Sequence, residues 1–388
     1  MSKYHVVIIG GGGTGGALAH DLTLRGLRVT LVERGEVTSG TTGRHHGLLH
    51  SGARYAVKDQ ESAVECIEEN TILRKIAPGT FEENDGLFVA ITDEDVEYSH
   101  SFIEGCGECG IPTQRLSKQE ALRLEPNLSD KLILAVRIPD ATMDAMRMPL
   151  RFFATAMKNG AEIKTYTEVL AIRKQGDAVT GVQVKDHTTG NVYEVGADLV
   201  VNAAGPWSGK VADMVGVEVP IRPSPGVMVA VRGRWCNMVI NRLNTSSDGD
   251  IVVPQRGLSV IGTSSWVVDD PDNLGLPTEH IQAMYEHGTM MMPILKNAPM
   301  RAAWSAARPL IGPRKADADT GRELSRTFKC FDHADEGVQG FVTITGGKAT
   351  TLRGMAEATA NIVCEKLGVE EPCRTREVVL LPHTAFYG

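Results

Sequence analysis

A chain of 388 residues and 41.8 kDa, 42% hydrophobic, is long enough for two or three structural units around a sizeable core rather than one compact domain. Its net charge of -8, pI near 5.8 and lack of any basic run argue against a nucleic-acid surface and leave small molecules and proteins as partners. Seven cysteines scattered between Cys66 and Cys373 fit reduced thiols and not a disulfide framework; with no signal region after Met1-Ser2-Lys3 and no run near the ~20 apolar residues of a membrane span, a cytoplasmic protein is expected, peripheral docking at the inner face of the membrane through another subunit being left open.

The first element is an apolar, β-branched run, His5 to Ile9, that reads as a buried parallel strand. Gly10, Gly12 and Gly15 follow in G-x-G-x-x-G register, residues 17–24 read as a helix closed by Gly26, and residues 28–32 read as a second strand ending on Glu33. Each part has a physical task. Gly10 permits the tight turn, Gly12 lets a pyrophosphate approach the helix N-terminus, Gly15 lets helix and strand pack closely, and Glu33 accepts hydrogen bonds from a ribose. Strand, turn, helix, strand and acid agree on a dinucleotide site.

A polar loop follows at residues 34–55, where a nicotinamide domain would continue its strand and helix alternation. Residues 59–76 are helix-like, with Val64, Ile67, Ile72 and Ile76 on roughly one face; residues 81–91 read as a strand and 96–110 as a helix. Within it the lone pair Cys106 and Cys109 lacks a second ligand pair for zinc and reads as packing; no metal site is expected. A turn at 139–144 and a helix at 149–159 precede a β excursion at 162–195 and a buried strand before Gly205. Residues 219–265 are β-rich and punctuated by Pro220, Pro223 and Pro225, Met290-Met291-Met292 read as core or subunit packing, and residues 352–367 form the last helix.

Three stretches resemble the flavoproteins related to D-amino-acid oxidase: RGEVTSGTTGRHHGLLHSGARY at 34–55, ADLVVNAAGPWS at 197–208 and TITGGKATTLR at 343–353. HHGLLHSGARYAV, INR at 240–242, ARPL at 307–310, LSR at 324–326 and FVTITGGK at 341–348 are similar to the catalytic subunits of the anaerobic glycerol-3-phosphate dehydrogenase family, and the likeness covers essentially the whole chain. Those subunits usually carry a further cysteine-rich iron-sulfur domain, which this sequence does not include.

The resemblance implies an α/β fold: a Rossmann-like FAD-binding domain of the glutathione-reductase and D-amino-acid-oxidase type (residues 1–80, 145–215 and 335–370), an interleaved β-rich substrate-binding domain (81–144 and 216–334) and a tail (371–388). It implies FAD held by Gly10, Gly12, Gly13, Thr14, Gly15, Glu33, Arg34, Thr41, Thr42, His46, Gly47, Leu49, Val169, Ala203, Gly205, Trp207, Gly346, Gly347 and Lys348. His50 is the expected base beside the flavin, taking the proton of a substrate hydroxyl as hydride leaves. Arg54, Arg308, Arg326 and Lys348 are expected around a substrate phosphate, with Arg308 and Lys348 also counted in the catalytic set. The implied reaction oxidises sn-glycerol 3-phosphate to dihydroxyacetone phosphate, electrons passing to a quinone or to partner subunits. A dehydrogenase of 2-hydroxyglutarate or a sugar phosphate, and a non-catalytic flavoprotein subunit, are the alternatives.

Overall fold

The computed structural model describes residues 3–245, 250–312, 324 and 326–388, so that Met1, Ser2 and Ser325 of the stretches quoted above lie outside it. The run His5–Ile9 is a central strand, paired in parallel with Arg28–Val32 on one side and Leu199–Asn202 on the other. Val6 and Ile8 enter a core shared with the helices Gly13–Leu24, Arg147–Lys158 and Leu352–Leu367. Val7 and Ile9 enter a second core under the antiparallel meander Thr167–Gln175, Ala178–Asp186 and Val192–Gly196. Burial on both faces explains why this strand reads as continuous hydrophobic sequence. The full sheet runs Phe328–Asp332, Phe341–Gly346, Leu199–Asn202, His5–Ile9, Arg28–Val32, Glu162–Lys164. Phe328–Asp332, grouped above with the substrate-binding segments, is its antiparallel edge strand.

The segments on either side of this sheet in sequence combine into an eight-stranded mixed sheet: Met300–Ile311, Ile221–Arg232, Leu258–Gly262, Ile251–Gln255, Val239–Arg242, Gly86–Ala90, Leu134–Ile138, Gln114–Ser117. Pro223 and Pro225 do not punctuate it; they sit inside the strand Ile221–Arg232 opposite Pro309 and Ala307. Proline is tolerated here because the irregular segment on its other side only donates, Trp266 N–H to the Pro225 carbonyl and Val268 N–H to that of Pro223.

Local deviations from the sequence expectations have local causes. The strand expected at 81–91 breaks at Asp85, whose φ of 55° is left-handed, into Phe81–Glu82 and Gly86–Ala90 in different sheets. The helix expected from 96 starts as Asp93–Glu108, because Thr92 and Asp95 form a reciprocal capping box. In Gln60–Ile76 the buried stripe is Ala63, Cys66, Glu69, Asn70, Leu73 and Ile76, while Val64 is exposed. Glu69 is inside because the buried Arg353 guanidinium meets its carboxylate. Cys106 and Cys109 pack in an apolar cluster with Phe102 and Ile111, and Met291 and Met292 are buried while Met290 is at the surface. Among the described residues no helix is long and apolar enough to cross a membrane, and no group of three metal-ligating side chains is found.

Candidate active site

The glycine-rich turn divides its tasks among its residues. Gly10 has φ 113°, and a Cβ there would lie 2.6 Å from the Ala203 carbonyl oxygen. A Cβ on Gly15 would lie 2.0 Å from the Gly10 carbonyl oxygen, so Gly15 packs helix on strand and lies off the cavity wall. Gly12 is different. A Cβ on it would meet one atom, Thr42 Oγ1 at 3.2 Å, and Gly12 lines a cavity of about 660 Å³. Around it, Gly13 N–H donates to Thr42 Oγ1 at 3.0 Å, and Glu33 accepts from Gly11 N–H at 2.7 Å and Gly35 N–H at 2.8 Å.

The same cavity is lined by Gly10, Gly13, Thr14, Glu33, Arg34, Thr41, Thr42, His46, Val169, Ala203, Gly205, Trp207, Gly346, Gly347 and Lys348, which the sequence grouped with the cofactor. Thr41 Oγ1 donates to the Ala307 carbonyl at 2.7 Å and Trp304 Nε1 to that of Arg44 at 2.7 Å, so the polar loop is tied to the edge strand of the second sheet. Two further residues of that group lie off the lining of this cavity. Leu49 is fully buried in the helix-side core, and Gly47, φ 80°, faces Gln255 and the Met143 carbonyl, where the chain turns into the strand Leu48–Leu49.

Part of the wall of the same cavity is basic. His50, Arg54, Arg308, Arg326 and Lys348 meet there, brought from four separated segments. His50 is fixed through its backbone: its N–H donates to Thr350 Oγ1 at 3.0 Å and its carbonyl accepts from Asn70 Nδ2 at 3.1 Å. The chain then reverses at Gly52, φ 95°, where a Cβ would lie 2.3 Å from the Ala63 carbonyl oxygen. Arg54 ion-pairs with the buried Asp250. Lys348 Nζ donates to the Arg326 carbonyl at 2.9 Å, stands 5.1 Å over the Tyr55 ring and lies 3.6 Å from Glu65.

Arg308 and Arg326 are the anomalous pair. The Arg308 guanidinium donates to Thr263 Oγ1 and to the carbonyls of Ser224, Pro225 and Ser264, which are all uncharged. Burial, and then the nearby Arg326, push it down to about 9. Burial also lowers Arg326, whose Nη1 is buried without a partner among the described residues. One guanidinium facing only neutral acceptors and a second with a buried, unpartnered nitrogen among the described residues leave positive charge that an anion would satisfy.

The histidines at this wall are kept neutral. Burial first, then Arg54 and Lys348, hold the His50 imidazole at about 3; burial holds His45 at about 4 and His46 well below its ordinary range. The ring nitrogens of His50 make no hydrogen bond among the described residues, and His46 Nδ1 is buried and unpartnered. A neutral imidazole on a cavity wall can accept a proton. Tyr55 and Thr263 also belong to this wall, and the sequence reading missed them. Tyr55 ends the quoted HSGARY stretch and could have been taken with Arg54, whereas nothing in the sequence around Thr263 marks it.

The walls fit a flavin dinucleotide: a glycine backbone open to the cavity at a helix N-terminus, an adjacent acid, and one continuous space also lined by cations and a neutral base. Comparison with known proteins gives the same cofactor. Residues 5–361 match the family model described as FAD dependent oxidoreductase. The A1 subunit of the anaerobic glycerol-3-phosphate dehydrogenase of Haloferax volcanii is 43% identical over 382 residues, covering 96% of this chain and 65% of its own length. The corresponding subunit of the Escherichia coli enzyme is 41% identical over 378 residues, covering 97% of this chain and 69% of its own. The chain thus spans just under two thirds of the first of these relatives and slightly more of the second. The crystal structure of glycerol-3-phosphate dehydrogenase from Bacillus halodurans complexed with FAD matches with a TM-score of 0.75 at 25% identity, covering 98% of this chain and 68% of that one.

Proposed function

The chain belongs to the FAD dependent oxidoreductase family, and from that premise we propose that it oxidises the secondary hydroxyl of sn-glycerol 3-phosphate to dihydroxyacetone phosphate and hands the electrons to a quinone or to partner subunits. The observation that carries the reading is the pairing of Arg308 with Arg326, two partly buried cations with no ion pair among the described residues, beside the neutral base His50. FAD, when bound, supplies the hydride acceptor. The residues proposed to hold it are Gly12, Gly13, Thr14, Glu33, Thr42, Gly346 and Gly347.

The protein's own part is binding, orientation and one proton. Arg308, Arg326 and Lys348 hold the phosphate, with Arg54 at the same wall; its two negative charges answer the cations there. His50 accepts the hydroxyl proton while the carbinol hydrogen leaves as hydride. Burial lowers His50 most and Arg54 and Lys348 add to it; the part due to these cations weakens once a dianion is bound among them, which moves the base toward the pH at which it works. Binding the correct anion therefore also strengthens the base.

Removing Arg308 tests the phosphate assignment. The change Arg308→Ala is expected to remove a charge-assisted contact of roughly 1.5–3 kcal/mol, an affinity loss of about 10- to 150-fold for glycerol 3-phosphate. Glycerol, which has no phosphate to lose a contact, is expected to reduce the flavin slowly and at a rate little altered by the change. Equal losses for both compounds would show instead that Arg308 supports the fold through its bonds to Ser224, Pro225 and Ser264.

A further inference from the structure

Between the strand Leu258–Gly262 and the helix Thr278–Met291, residues 263–277 form no regular element but cross from the eight-stranded sheet to the rim of the cavity. The crossing is fastened at both ends, by Trp266 N–H on the Pro225 carbonyl and Val268 N–H on that of Pro223, and by Ser305 Oγ on the Gly275 carbonyl at 2.8 Å. Its middle is a turn written in the sequence Asp270-Pro271-Asp272-Asn273. Proline presets φ at the second position, the Asp270 side chain accepts Asp272 N–H at 3.0 Å, and Asn273 N–H returns to the Asp270 carbonyl at 3.1 Å.

The turn presents Asp272 to three residues of the glycine-rich half of the molecule. Its Oδ1 accepts from Arg34 Nη2 at 2.6 Å and from Trp207 Nε1 at 2.8 Å, and its Oδ2 from Lys210 Nζ at 2.7 Å. Arg34 lies over Trp207, 4.7 Å from the ring centroid, and Lys210 is held a second time by Asp270 at 2.8 Å. Arg34, Trp207, Lys210 and Asp272 all line the cavity, yet Arg34, Lys210 and Asp272 are 47%, 50% and 39% exposed, which puts the cluster at the mouth. We propose that residues 263–277 are a strap over the cofactor cavity and that the Asp272 clasp on Arg34, Trp207 and Lys210 governs how fast FAD leaves.

One carboxylate serving three donors explains how half-exposed contacts, each weak alone, hold a strap with no regular structure of its own. The donors engage both oxygens of the carboxylate and keep it ionised, with a pKa lowered to about 2 against the effect of its partial burial. Because the clasp is ionic and exposed, salt screens it. The proposal rests on the reading of this cavity as the FAD site.

The test dilutes the FAD-loaded protein and follows the fluorescence of released FAD. Asp272→Asn is expected to release FAD about 10-fold faster than the parent. Raising potassium chloride from about 50 mM to about 500 mM, across which the Debye length falls several-fold, is expected to speed release from the parent clearly more than from Asp272→Asn, which keeps only the Lys210–Asp270 pair. Arg173→Gln, which removes an exposed ion pair with Glu194 away from the cavity lining, is expected to behave as the parent. Equal release by parent and Asp272→Asn overturns the proposal. So does faster release that keeps the parent's salt response, since that marks a generally loosened fold. A parent that binds no FAD overturns the cofactor reading beneath the proposal, and the proposal with it.

Discussion

His50→Asn is expected to lower the rate of flavin reduction by about 100-fold or more while FAD stays bound, the usual contribution of a positioned general base. Asparagine is smaller than histidine but retains a hydrogen-bonding group, and it cannot take up a proton. The backbone bonds that hold residue 50, to Thr350 Oγ1 and from Asn70 Nδ2, do not involve the imidazole and survive the change. A pH dependence follows from the sign of the shift. The His50 value in the folded protein is lowered to about 3 by burial and by Arg54 and Lys348. The base is therefore neutral in the free enzyme across pH 5–8, where an ordinary histidine would charge near 6.5. Histidine NMR of the FAD-loaded protein without substrate is expected to show this imidazole neutral at pH 5.5. Stopped-flow reduction at the parent rate in His50→Asn would remove the residue from the mechanism.

The second large effect separates two glycines to which the motif gives different tasks. Gly12→Val is expected to give folded protein without the yellow colour of flavin, since its Cβ meets only Thr42 Oγ1 at 3.2 Å and the rest of the side chain stands in the cavity. Gly15→Val is expected to give no folded protein at all. Its Cβ would be 2.0 Å from the Gly10 carbonyl oxygen, which is backbone and cannot step aside without unseating the strand His5–Ile9 from its turn. Circular dichroism and flavin absorbance distinguish the outcomes. A yellow Gly12→Val protein would place the dinucleotide elsewhere, and a well-folded Gly15→Val protein would contradict the packing described for the turn.

These two glycines also show what sequence can and cannot deliver. The strand, the turn and the first helix were legible because local chemistry and long-range packing ask for the same residues: β-branched side chains where both faces are covered, glycine where the backbone doubles on itself. The same agreement made a dinucleotide site legible, whereas FAD was legible only through the resemblance of 34–55, 197–208 and 343–353 to known flavoproteins. The helix Gln60–Ile76 was legible as a helix but not in its facing, because its inward side carries Glu69 and Asn70. Each is buried for a partner distant in sequence, Arg353 for the first and the His50 and Pro139 carbonyls for the second. The helix Thr278–Met291 and the twelve-residue strand Met300–Ile311 went unread, the latter because Pro309 and its small and polar residues hide a strand whose pairing with Ile221–Arg232 is purely tertiary.

The basic wall of the cavity was legible only through resemblance. Arg54, Arg308, Arg326 and Lys348 share no spacing, and it is the fold that brings them within one wall. What no motif announced is which of them already has a counter-charge. Arg54 has Asp250 and Lys348 has Glu65, whereas Arg308 has neutral acceptors and Arg326 keeps a buried nitrogen with no partner among the described residues. Asp272 was equally silent, since a turn sequence such as Asp-Pro-Asp-Asn predicts a bend and says nothing of what it reaches.

Anaerobic titration of the FAD-loaded protein with hydroxylated anions tests the account most directly. sn-Glycerol 3-phosphate is expected to bleach the flavin stoichiometrically and to yield dihydroxyacetone phosphate, with glycerol far slower. Rapid reduction by 2-hydroxyglutarate with none by glycerol 3-phosphate would contradict the account, and so would a flavin that no hydroxylated anion reduces.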